Sequence, residues 1–383
     1  MSTPGPAGRL RIAFALDSLE VGGTELNAVR TLERLDRTRF EPSLVLHSNR
    51  GPLAERVRDA GVPIHVFPLR GFASRQGLVS AIALTRHLAR ERVDVLHAHD
   101  IYSNIFSVPC ARLARVPLVI ASRRWWQEAN RAAYLHLNRV TYRMAHRVLA
   151  NAQSVGELLA AEGVPRDRIV VLPNFVEPEA FTPPDEYVLE GWRARAGVAS
   201  GDLVIGVVAN LHPVKNHLLL IEALPAVLQR HPATRLVFVG EGAERERIQA
   251  RAVELGVSDR VSLVGRQPPR PSWHWLFDVS VLCSRSEGFP NSVVEAMAAG
   301  RPLIATRVGG VPDVAQDGVT ARLIPSEDVG ALAEAIVALL GNPAERVRLG
   351  GAGARRAAEH YHADHVIAQL AALYESSRGA RLR

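Results

Sequence analysis

Two glutamates, Glu287 and Glu295, flank a short loop within the stretch SRSEGFPNSVVEAMAAGRPLIATRVGG. An apolar strand over residues 279–283 leads into the loop, and Asn291 or Ser292 is predicted to cap the helix that follows. The free amides at the start of that helix favour an anion, and the carboxylates can accept hydrogen bonds from hydroxyl groups. A phosphate together with a polyol is the chemistry of a nucleotide sugar.

The spacing E-G-F-P-N-x-x-x-E, followed by A-x-G-x-P-x-I-A-x-x-x-G-G, closely resembles the signature of the retaining glycosyltransferases of family 4. In that family the first glutamate binds hydroxyl groups of the donor sugar and the second binds the nucleotide ribose, which implies these roles for Glu287 and Glu295. Read singly, each glutamate also fits a solvated surface position. The other donor-site residues predicted in this stretch are Gly288, Phe289, Pro290, Asn291 and Ser292.

A single lysine, Lys215, lies in the segment NLHPVKN just after a predicted strand. A flexible ammonium group at the end of a strand suits a diphosphate, and in the family a lysine at this place neutralises the donor phosphates. Many relatives carry an arginine where this chain has Asn210, which can still donate one hydrogen bond. A surface lysine is the open alternative.

The turn DSLEVGGTEL places Gly22 and Gly23 before a helix predicted to begin near Thr24. Glycines let the backbone approach a ligand closely, and a helix start favours an anion. The resemblance implies that this turn closes over the donor phosphates. Glu25 is interpreted as an acid that favours the first helical turn.

Candidates for binding the acceptor follow two later strands. His97 and His99 lie in VLHAHD, and we expect only one of them to face a given side of the sheet; His99 is the preferred acceptor-side and catalytic candidate. Guanidinium groups bind phosphate and indole rings stack on sugars, so the segment SRRWW is a second candidate. Its acceptor-binding candidates are Arg123, Arg124 and Trp125. Packing roles for these side chains stay open.

Short apolar runs rich in β-branched residues alternate with longer amphipathic stretches, a pattern typical of repeated βα units. The strands predicted in the first half cover residues 11–16, 42–47, 63–67, 93–98, 117–122, 146–150 and 168–172. Those predicted in the second half cover residues 203–209, 235–240, 260–265, 279–283 and 302–306. We therefore predict an α/β protein with two doubly wound Rossmann-like domains that face each other across a cleft.

The proline-rich stretch PNFVEPEAFTPPDEY has no hydrophobic periodicity and marks the predicted hinge. The predicted units are an acceptor-binding domain over residues 1–176, a nucleotide-sugar-binding domain over 177–358 and a C-terminal helical segment over 359–383. This architecture resembles the GT-B fold. The resemblance implies that the last helix packs back on the first domain.

The positive charge of the chain is concentrated in its first half. Residues 1–185 hold 24 arginines against 18 acidic residues, whereas the rest of the chain is nearly balanced. This excess suits an anionic or lipid-linked acceptor or an anionic membrane surface, and a generally basic surface is an equal alternative. No zinc-ligand spacing or nucleic-acid recognition motif is present in the sequence, so nucleic acid is not a predicted partner.

Two cysteines, Cys110 and Cys283, lie far apart in apolar contexts and cannot form a disulfide framework, which favours a reducing cytoplasm. The chain starts without the pattern of a signal peptide and contains no apolar stretch long enough to span a bilayer. A cytoplasmic location is predicted. Peripheral contact with the inner face of the membrane through the basic first half is the alternative.

The resemblance implies retaining transfer of a sugar from a nucleoside diphosphate sugar to a hydroxyl group of a glycan, lipid-linked or small-molecule acceptor. Glu287, Lys215 and His99 are the catalytic candidates. The sequence lacks a D-x-D tripeptide, so neither a metal nor a further cofactor is predicted. Two alternatives stay open: a nucleotide-sugar epimerase of similar architecture, and a non-catalytic module that binds a polyanion or a membrane.

Overall fold

The chain forms two compact units, each built around one parallel sheet. The computed structural model describes residues 8–72, 74–124, 132–268 and 272–377. The first unit comprises Met1–Asn174 and Asp364–Arg383, and the second comprises Phe175–Ala363.

The first unit contains a seven-stranded sheet with the strand order β3-β2-β1-β4-β5-β6-β7. Its strands are β1 (Leu10–Leu16), β2 (Phe40–Leu46), β3 (Ile64–Val66), β4 (Val95–Ala98), β5 (Leu118–Arg123), β6 (Arg147–Ala150) and β7 (Ile169–Val171). All neighbouring strands are parallel, and the central ones are buried on both faces, which explains their continuous apolar runs. The order reverses between β1 and β4, the place where doubly wound sheets bind ligands at the carboxyl ends of their strands.

Helices cover both faces of this sheet, as the alternation of strands and helices requires. They are α1 (Gly23–Arg34), α2 (Ala54–Asp59), α3 (Arg75–Arg90), α4 (Ile101–Leu113), α5 (Ala132–Met144) and α6 (Gln153–Ala161). Asp100 begins α4 with a capping box: its carboxylate accepts from the Ser103 amide at 2.8 Å, while the Ser103 hydroxyl accepts from the Asp100 amide. The second carboxylate oxygen of Asp100 accepts from the Asp17 amide, which ties the end of β1 to the start of α4.

The second unit contains a six-stranded parallel sheet with the order β10-β9-β8-β11-β12-β13. Its strands are β8 (Leu203–Val208), β9 (Thr234–Val239), β10 (Val261–Leu263), β11 (Val279–Leu282), β12 (Leu303–Thr306) and β13 (Arg322–Ile324). Its helices are α7 (Glu186–Arg195), α8 (His217–Arg230), α9 (Arg245–Glu254), α10 (Asn291–Ala298), α11 (Val311–Val314), α12 (Val329–Leu340) and α13 (Pro343–His360). Adjacent strands β8 and β11 bring their carboxyl ends together, which decides where the site of this unit lies.

The C-terminal helix α14 (Ala363–Glu375) packs on the first unit, as the resemblance to the GT-B fold implied. Tyr374 is fully buried there, with its ring edge-on to Phe14 and Phe40. Its hydroxyl lies 2.7 Å from Nδ1 of His97. The prediction of two Rossmann-like sheets is confirmed.

Strand β13 and helix α7 were not predicted. Strand β13 begins with an exposed arginine, and its three residues form no apolar run. Helix α7 begins at Glu186, within the last two residues of the proline-rich stretch, and has no fully buried residue, so its apolar pattern is weak.

Candidate functional site

Lys215 and Glu287 meet at the carboxyl ends of β8 and β11. Lys215 ends a short 3-10 turn (Pro213–Lys215) after β8, and Glu287 lies in the loop between β11 and α10. Nζ of Lys215 is 2.5 Å from Oε1 of Glu287; the lysine side chain is 27% exposed and the glutamate side chain 7%. The Ser284 hydroxyl donates to the same carboxylate oxygen at 2.6 Å. The ammonium has three donor hydrogens, so protons beyond the one that Glu287 accepts can point to a ligand.

Backbone contacts hold the two loops together. The Arg285 amide donates to the carbonyl oxygen of Val214 at 2.8 Å, and the Arg285 guanidinium donates to that of Pro213 at 2.9 Å. The Gly310 amide donates to the carbonyl oxygen of Glu287 at 3.0 Å. The glycine-rich loop after β12 therefore supports the backbone of Glu287, and two hydrogen bonds from Arg285 join the Glu287 loop to the Lys215 loop.

Gly309 is predicted to be intolerant of a side chain. Its φ is +48°, and a Cβ there would lie 1.9 Å from the carbonyl oxygen of Glu287. We expect Gly309→Ala to displace the Glu287 loop and to raise KM for the donor, with a loss in stability beyond the ~1–2 kcal/mol that a left-handed alanine costs. Chemical denaturation and steady-state kinetics measure both quantities.

Gly318 provides the matched control. Its φ is +70°, but a Cβ there would meet no atom within 4 Å. Gly318→Ala therefore carries the cost of the left-handed backbone without the collision. Equal effects of the two substitutions would contradict a role for Gly309 in supporting Glu287.

The start of α10 differs from the prediction. Pro290 occupies the N-cap position, and Asn291 is the first helical residue. The side chain of Pro290 forms no capping hydrogen bond. The predicted cap by Asn291 or Ser292 is therefore wrong, because the fixed φ of proline already sets the turn into the helix. Phe289 is 7% exposed and packs edge-on against Tyr361 at 5.8 Å, so its side chain anchors the loop.

The remaining donor-site candidates of this unit lie around the same loop. Glu295 is half-buried on α10, one turn after Asn291 and on the same helix face. Asn210 is exposed after the end of β8, and the backbone at Gly288 is half-buried between Glu287 and the helix. Their roles in donor binding stay predictions.

His274 lies buried behind the start of α10. Its Nδ1 is 2.9 Å from the Ser280 hydroxyl and its Nε2 is 3.4 Å from the Ser292 hydroxyl. Burial lowers its pKa from 6.5 to about 3, with a smaller contribution from the positive charge of Arg301. The imidazole is therefore neutral at pH 7 and serves as a hydrogen-bonding support for Ser292.

This pKa predicts a loss of stability in acid. The folded protein binds fewer protons at His274 than the unfolded chain below pH 6.5, so stability is retained above 6.5 and falls as pH falls toward 3. The expected slope from this residue is about 1.4 kcal/mol per pH unit at most. Urea denaturation at several pH values should show a shallower loss for His274→Gln. The exposed His360 gives the control, because His360→Gln should keep the wild-type slope; equal slopes for His274→Gln and His360→Gln would contradict the assignment.

In the first unit the Gly22–Gly23 turn begins α1 one residue earlier than predicted, at Gly23. The Glu25 side chain folds back over Gly22, where an added Cβ would collide with its carboxylate. Burial raises the pKa of Glu25, and the positive charge of Arg124 lowers it in part. A side chain at Gly22 would therefore require the Glu25 carboxylate to move.

His97 and His99 lie on the same face of β4, so the expectation that only one would face a given side is wrong. Residues two apart in a strand share a face, and the two rings stack at 3.9 Å. His97 is held by Tyr374 and by the Ser122 hydroxyl at 2.9 Å, which gives it a packing role. His99 is 1% exposed, and its Nε2 has no hydrogen-bond partner among the described residues. Burial lowers the pKa of both imidazoles well below 6.5.

The two predicted arginines have different environments. The Arg124 guanidinium donates to the amide oxygens of Asn27 and Asn174 at 2.8 Å each, and it lies 3.4 Å from Nδ1 of His99. Burial lowers its pKa to about 10, so it stays charged at pH 7. Arg123 points to the other face of β5, where its guanidinium forms an ion pair with Glu162 at 2.6 Å. The structure therefore brings Arg124 and His99 together and leaves Arg123 out. Trp125 lies outside the described residues.

Sequence reasoning missed a polar cavity of about 320 Å³ in the first unit. Its lining includes Asp17, Glu20, Arg50, Arg70, Phe72, Tyr102 and Tyr134. Three aromatic rings contact one another there, with Phe72 and Tyr134 at 5.7 Å and Tyr102 and Tyr134 at 5.8 Å. Asp17 directly follows β1, and that position at the carboxyl end of a central strand could have identified it.

Two kinds of feature are absent from the described residues. Among them no group of three or more histidine, cysteine, aspartate or glutamate side chains could hold a metal ion. No helix in the same part of the chain is both long enough and apolar enough to cross a bilayer.

Comparison with known proteins connects these sites to a family. Residues 22–174 match the family described as "Glycosyl transferase 4-like domain", and residues 202–342 match "Glycosyl transferases group 1". A D-inositol 3-phosphate glycosyltransferase of Nocardia farcinica is 33% identical over 216 residues, which cover 54% of this chain and 47% of that protein. The matched region thus spans about half the length of that relative.

Two further matches extend over nearly the whole chain. A D-inositol 3-phosphate glycosyltransferase of Corynebacterium glutamicum is 25% identical over 385 residues, covering 93% of this chain and 92% of that protein. The crystal structure of Anabaena Alr3699/HepE in complex with UDP has a TM-score of 0.86 at 20% identity, covering 96% of this chain and all of that chain. The two family matches in succession and the shared architecture show that the chain belongs to the group 1 glycosyltransferases of family 4, with the GT-B fold.

Proposed function

We propose that the chain is a retaining glycosyltransferase that moves a sugar from a nucleoside diphosphate sugar to a hydroxyl acceptor. The observation that carries the proposal is the Lys215–Glu287 pair beside the start of α10. It combines a cation for phosphate with a carboxylate for sugar hydroxyls at the carboxyl ends of two adjacent parallel strands. In the proposed arrangement Glu287 binds the donor sugar, Glu295 the ribose, and Lys215 the diphosphate between them.

The chemical step breaks the bond between the anomeric carbon and the diphosphate oxygen, through an oxocarbenium-like transition state. The bonding electrons go to that oxygen, so stabilising the leaving diphosphate is the main catalytic task. Lys215 and the amides at the start of α10 serve it in this proposal. The acceptor hydroxyl attacks from the same face, and its proton passes to a donor phosphate oxygen. Lys215 supplies the positive charge, so no metal and no further cofactor is proposed.

The acceptor is proposed to bind in the polar cavity of the first unit. Carboxylates accept hydrogen bonds from hydroxyl groups, aromatic faces cover the apolar faces of sugar rings, and Arg50 and Arg70 can bind a phosphate. Two of the similar proteins act on D-inositol 3-phosphate by name, and a phosphorylated polyol fits this lining. Nδ1 of the neutral His99 faces the Arg124 guanidinium, so its unpartnered Nε2 carries the proton and is proposed to donate to the oxygen of a substrate hydroxyl.

A lipid-linked acceptor is the second candidate, favoured by an apolar groove of about 810 Å³ on α3, α4 and α5. Phe72 lines both the groove and the polar cavity, so a polar head group and its hydrocarbon chain could occupy the two together. Leu78 and Leu113, which line the groove, are 63% and 76% exposed. Arg75 and Arg86 on its lining complement an anionic lipid, and such an acceptor would place the protein at a membrane surface.

NMR analysis of the product tests the reaction. Incubation of the enzyme with UDP-, GDP- and ADP-sugars and with inositol phosphate or phosphatidylinositol vesicles should give one glycoside with the anomeric configuration of the donor, at an unchanged rate in EDTA. An inverted product would refute retention, and loss of activity in EDTA that a divalent metal restores would refute metal independence. Formation of an epimer without acceptor would favour an epimerase, and absence of all nucleoside diphosphate release would favour the binding module.

A further inference from the structure

A second cavity of the first unit lies at the amino ends of β6 and β7, the opposite edge of the sheet from the Gly22–Gly23 turn. Its volume is about 510 Å³. The residues that line it are Arg112, Arg143, Met144, Ala145, His146, Arg147 and Arg168. They come from the last turn of α4, the end of α5, the start of β6 and the turn before β7. Four arginines therefore face one concave space to which no proposed step of sugar transfer assigns a role.

The positive charge of this cavity is not neutralised within the described residues. None of the lining residues is acidic. Among the described residues, no carboxylate forms an ion pair with Arg112, Arg143, Arg147 or Arg168. Nearby arginines differ: Arg123 and Arg139 both form ion pairs with Glu162. A concave surface lined by charges of one sign concentrates its field and attracts the opposite charge.

Backbone contacts position two of the guanidinium groups. The Arg147 guanidinium donates to the carbonyl oxygen of His146 at 2.9 Å, and that of Arg168 donates to the carbonyl oxygen of Arg143 at 3.1 Å. A guanidinium has five N–H donors in a rigid fork, so each retains donors for an anion after making one such bond. This fork matches the geometry of phosphate and of carboxylate, and a cluster of four positive charges favours the more highly charged phosphate.

His146 adds another donor. Its Nδ1 accepts from the Val119 amide at 2.9 Å, so the neutral ring carries its proton on Nε2. Burial and the positive charges of Arg112, Arg147 and Arg168 lower the pKa of His146 to about 4, which keeps it neutral at pH 7. Its Nε2, which lies beside the Arg112 guanidinium, is therefore a donor that an anion can accept from.

We infer that this cavity is a binding site for a phosphate-bearing anion, distinct from the donor and acceptor sites. A soluble phosphate and the head group of an anionic phospholipid share the recognised chemistry. In the proposed function the donor diphosphate and the acceptor both bind at the carboxyl ends of the strands, so neither of them is the ligand of this cavity.

Calorimetric titration with inorganic phosphate at constant ionic strength tests the site. The Lys215→Ala/Arg50→Gln/Arg70→Gln background removes the main phosphate contacts of the donor site and of the polar cavity, so that failure of the proposed function does not affect the result. In that background Arg112→Gln/Arg168→Gln is expected to weaken phosphate binding at least about tenfold, the loss that follows from removing a charge-assisted hydrogen bond. Arg58→Gln/Arg266→Gln removes the same charge from two exposed arginines outside the cavity and should leave the affinity unchanged.

Equal phosphate affinity in the cavity variant and the control variant would overturn the inference. If circular dichroism shows that the double substitution disturbs folding, Arg143→Gln alone replaces it. The exposed side chain of Arg143 contributes no core packing, so this variant should fold and still bind phosphate more weakly. Co-sedimentation with vesicles of phosphatidylglycerol and phosphatidylcholine then distinguishes the sources. Vesicle binding that the cavity variant loses assigns the site to a lipid head group, and vesicle binding equal in both variants assigns it to a soluble phosphate.

Discussion

Glu287→Gln is expected to lower kcat by at least about 100-fold while the fold is retained, which is the scale of losing one electrostatic contact to a transition state. The substitution keeps the size of the side chain and its hydrogen bond to Ser284, and it removes the charge that faces Lys215 at 2.5 Å. The ammonium then loses its counter-charge, and the donor sugar loses a carboxylate acceptor. Steady-state kinetics with the identified nucleotide sugar measures the effect.

The matched control is Glu345→Gln. Glu345 pairs with Arg348 at 2.7 Å and its side chain is 26% exposed, but it lies on α13, away from the loop of Glu287. Loss of its charge should leave kcat at the wild-type value. Wild-type turnover in Glu287→Gln would exclude Glu287 from the site, and an increase in KM alone would assign it to ground-state binding.

Lys215→Ala is expected to lower kcat/KM about 100-fold to 1,000-fold, because it removes a cation assigned to the leaving diphosphate. It also leaves the Glu287 carboxylate, which is only 7% exposed, without its cation, so stability should fall by about 1–3 kcal/mol. Kinetics and urea denaturation measure the two effects separately. Ser284→Ala is the control for the second effect, since it removes the other hydrogen bond to the same oxygen and leaves the charge pair in place.

Lys215→Arg separates charge from geometry. A guanidinium keeps the positive charge but presents a planar fork in place of a compact ammonium. The space beside Glu287 is fitted to Nζ at 2.5 Å, so partial activity between that of alanine and that of lysine is expected. Full activity in Lys215→Ala would contradict any role for this residue in transfer.

The sheets were predictable from the sequence because central parallel strands are buried on both faces and therefore read as apolar runs. Strand β13 gave no such signal, since its three residues begin with an exposed arginine and form no apolar run. The C-terminal helix was placed by resemblance alone. Its attachment depends on Tyr374 reaching His97, a contact between residues 277 positions apart that no local pattern encodes.

The proposed donor site rests on a local motif, and the structure adds the contacts among its residues. Spacing along the chain identified Glu287, but only the register of β8 and β11 brings Lys215 to it. The acceptor side was less accessible. Arg123 and Arg124 are adjacent in sequence, yet strand alternation sends one to Glu162 and the other to His99.

The polar cavity was missed for a related reason. Asp17, Tyr102 and Tyr134 come from three distant parts of the chain, and only the order of the strands brings them together. Single aromatic or acidic residues after strands are common, so none of them stands out in the sequence. Their shared position became visible only when the sheet was known.

Chemical modification of Lys215 tests the central claim most directly, because the chain has a single lysine. An amine-reactive ester can label only Lys215 and the amino-terminal amine, and mass spectrometry quantifies both in one digest. The account predicts that UDP, GDP or ADP protects Lys215 and leaves labelling of the amino terminus unchanged, and that Glu295→Ala weakens the protection. Labelling of Lys215 that none of the three nucleotides changes would contradict the placement of the donor diphosphate at this lysine.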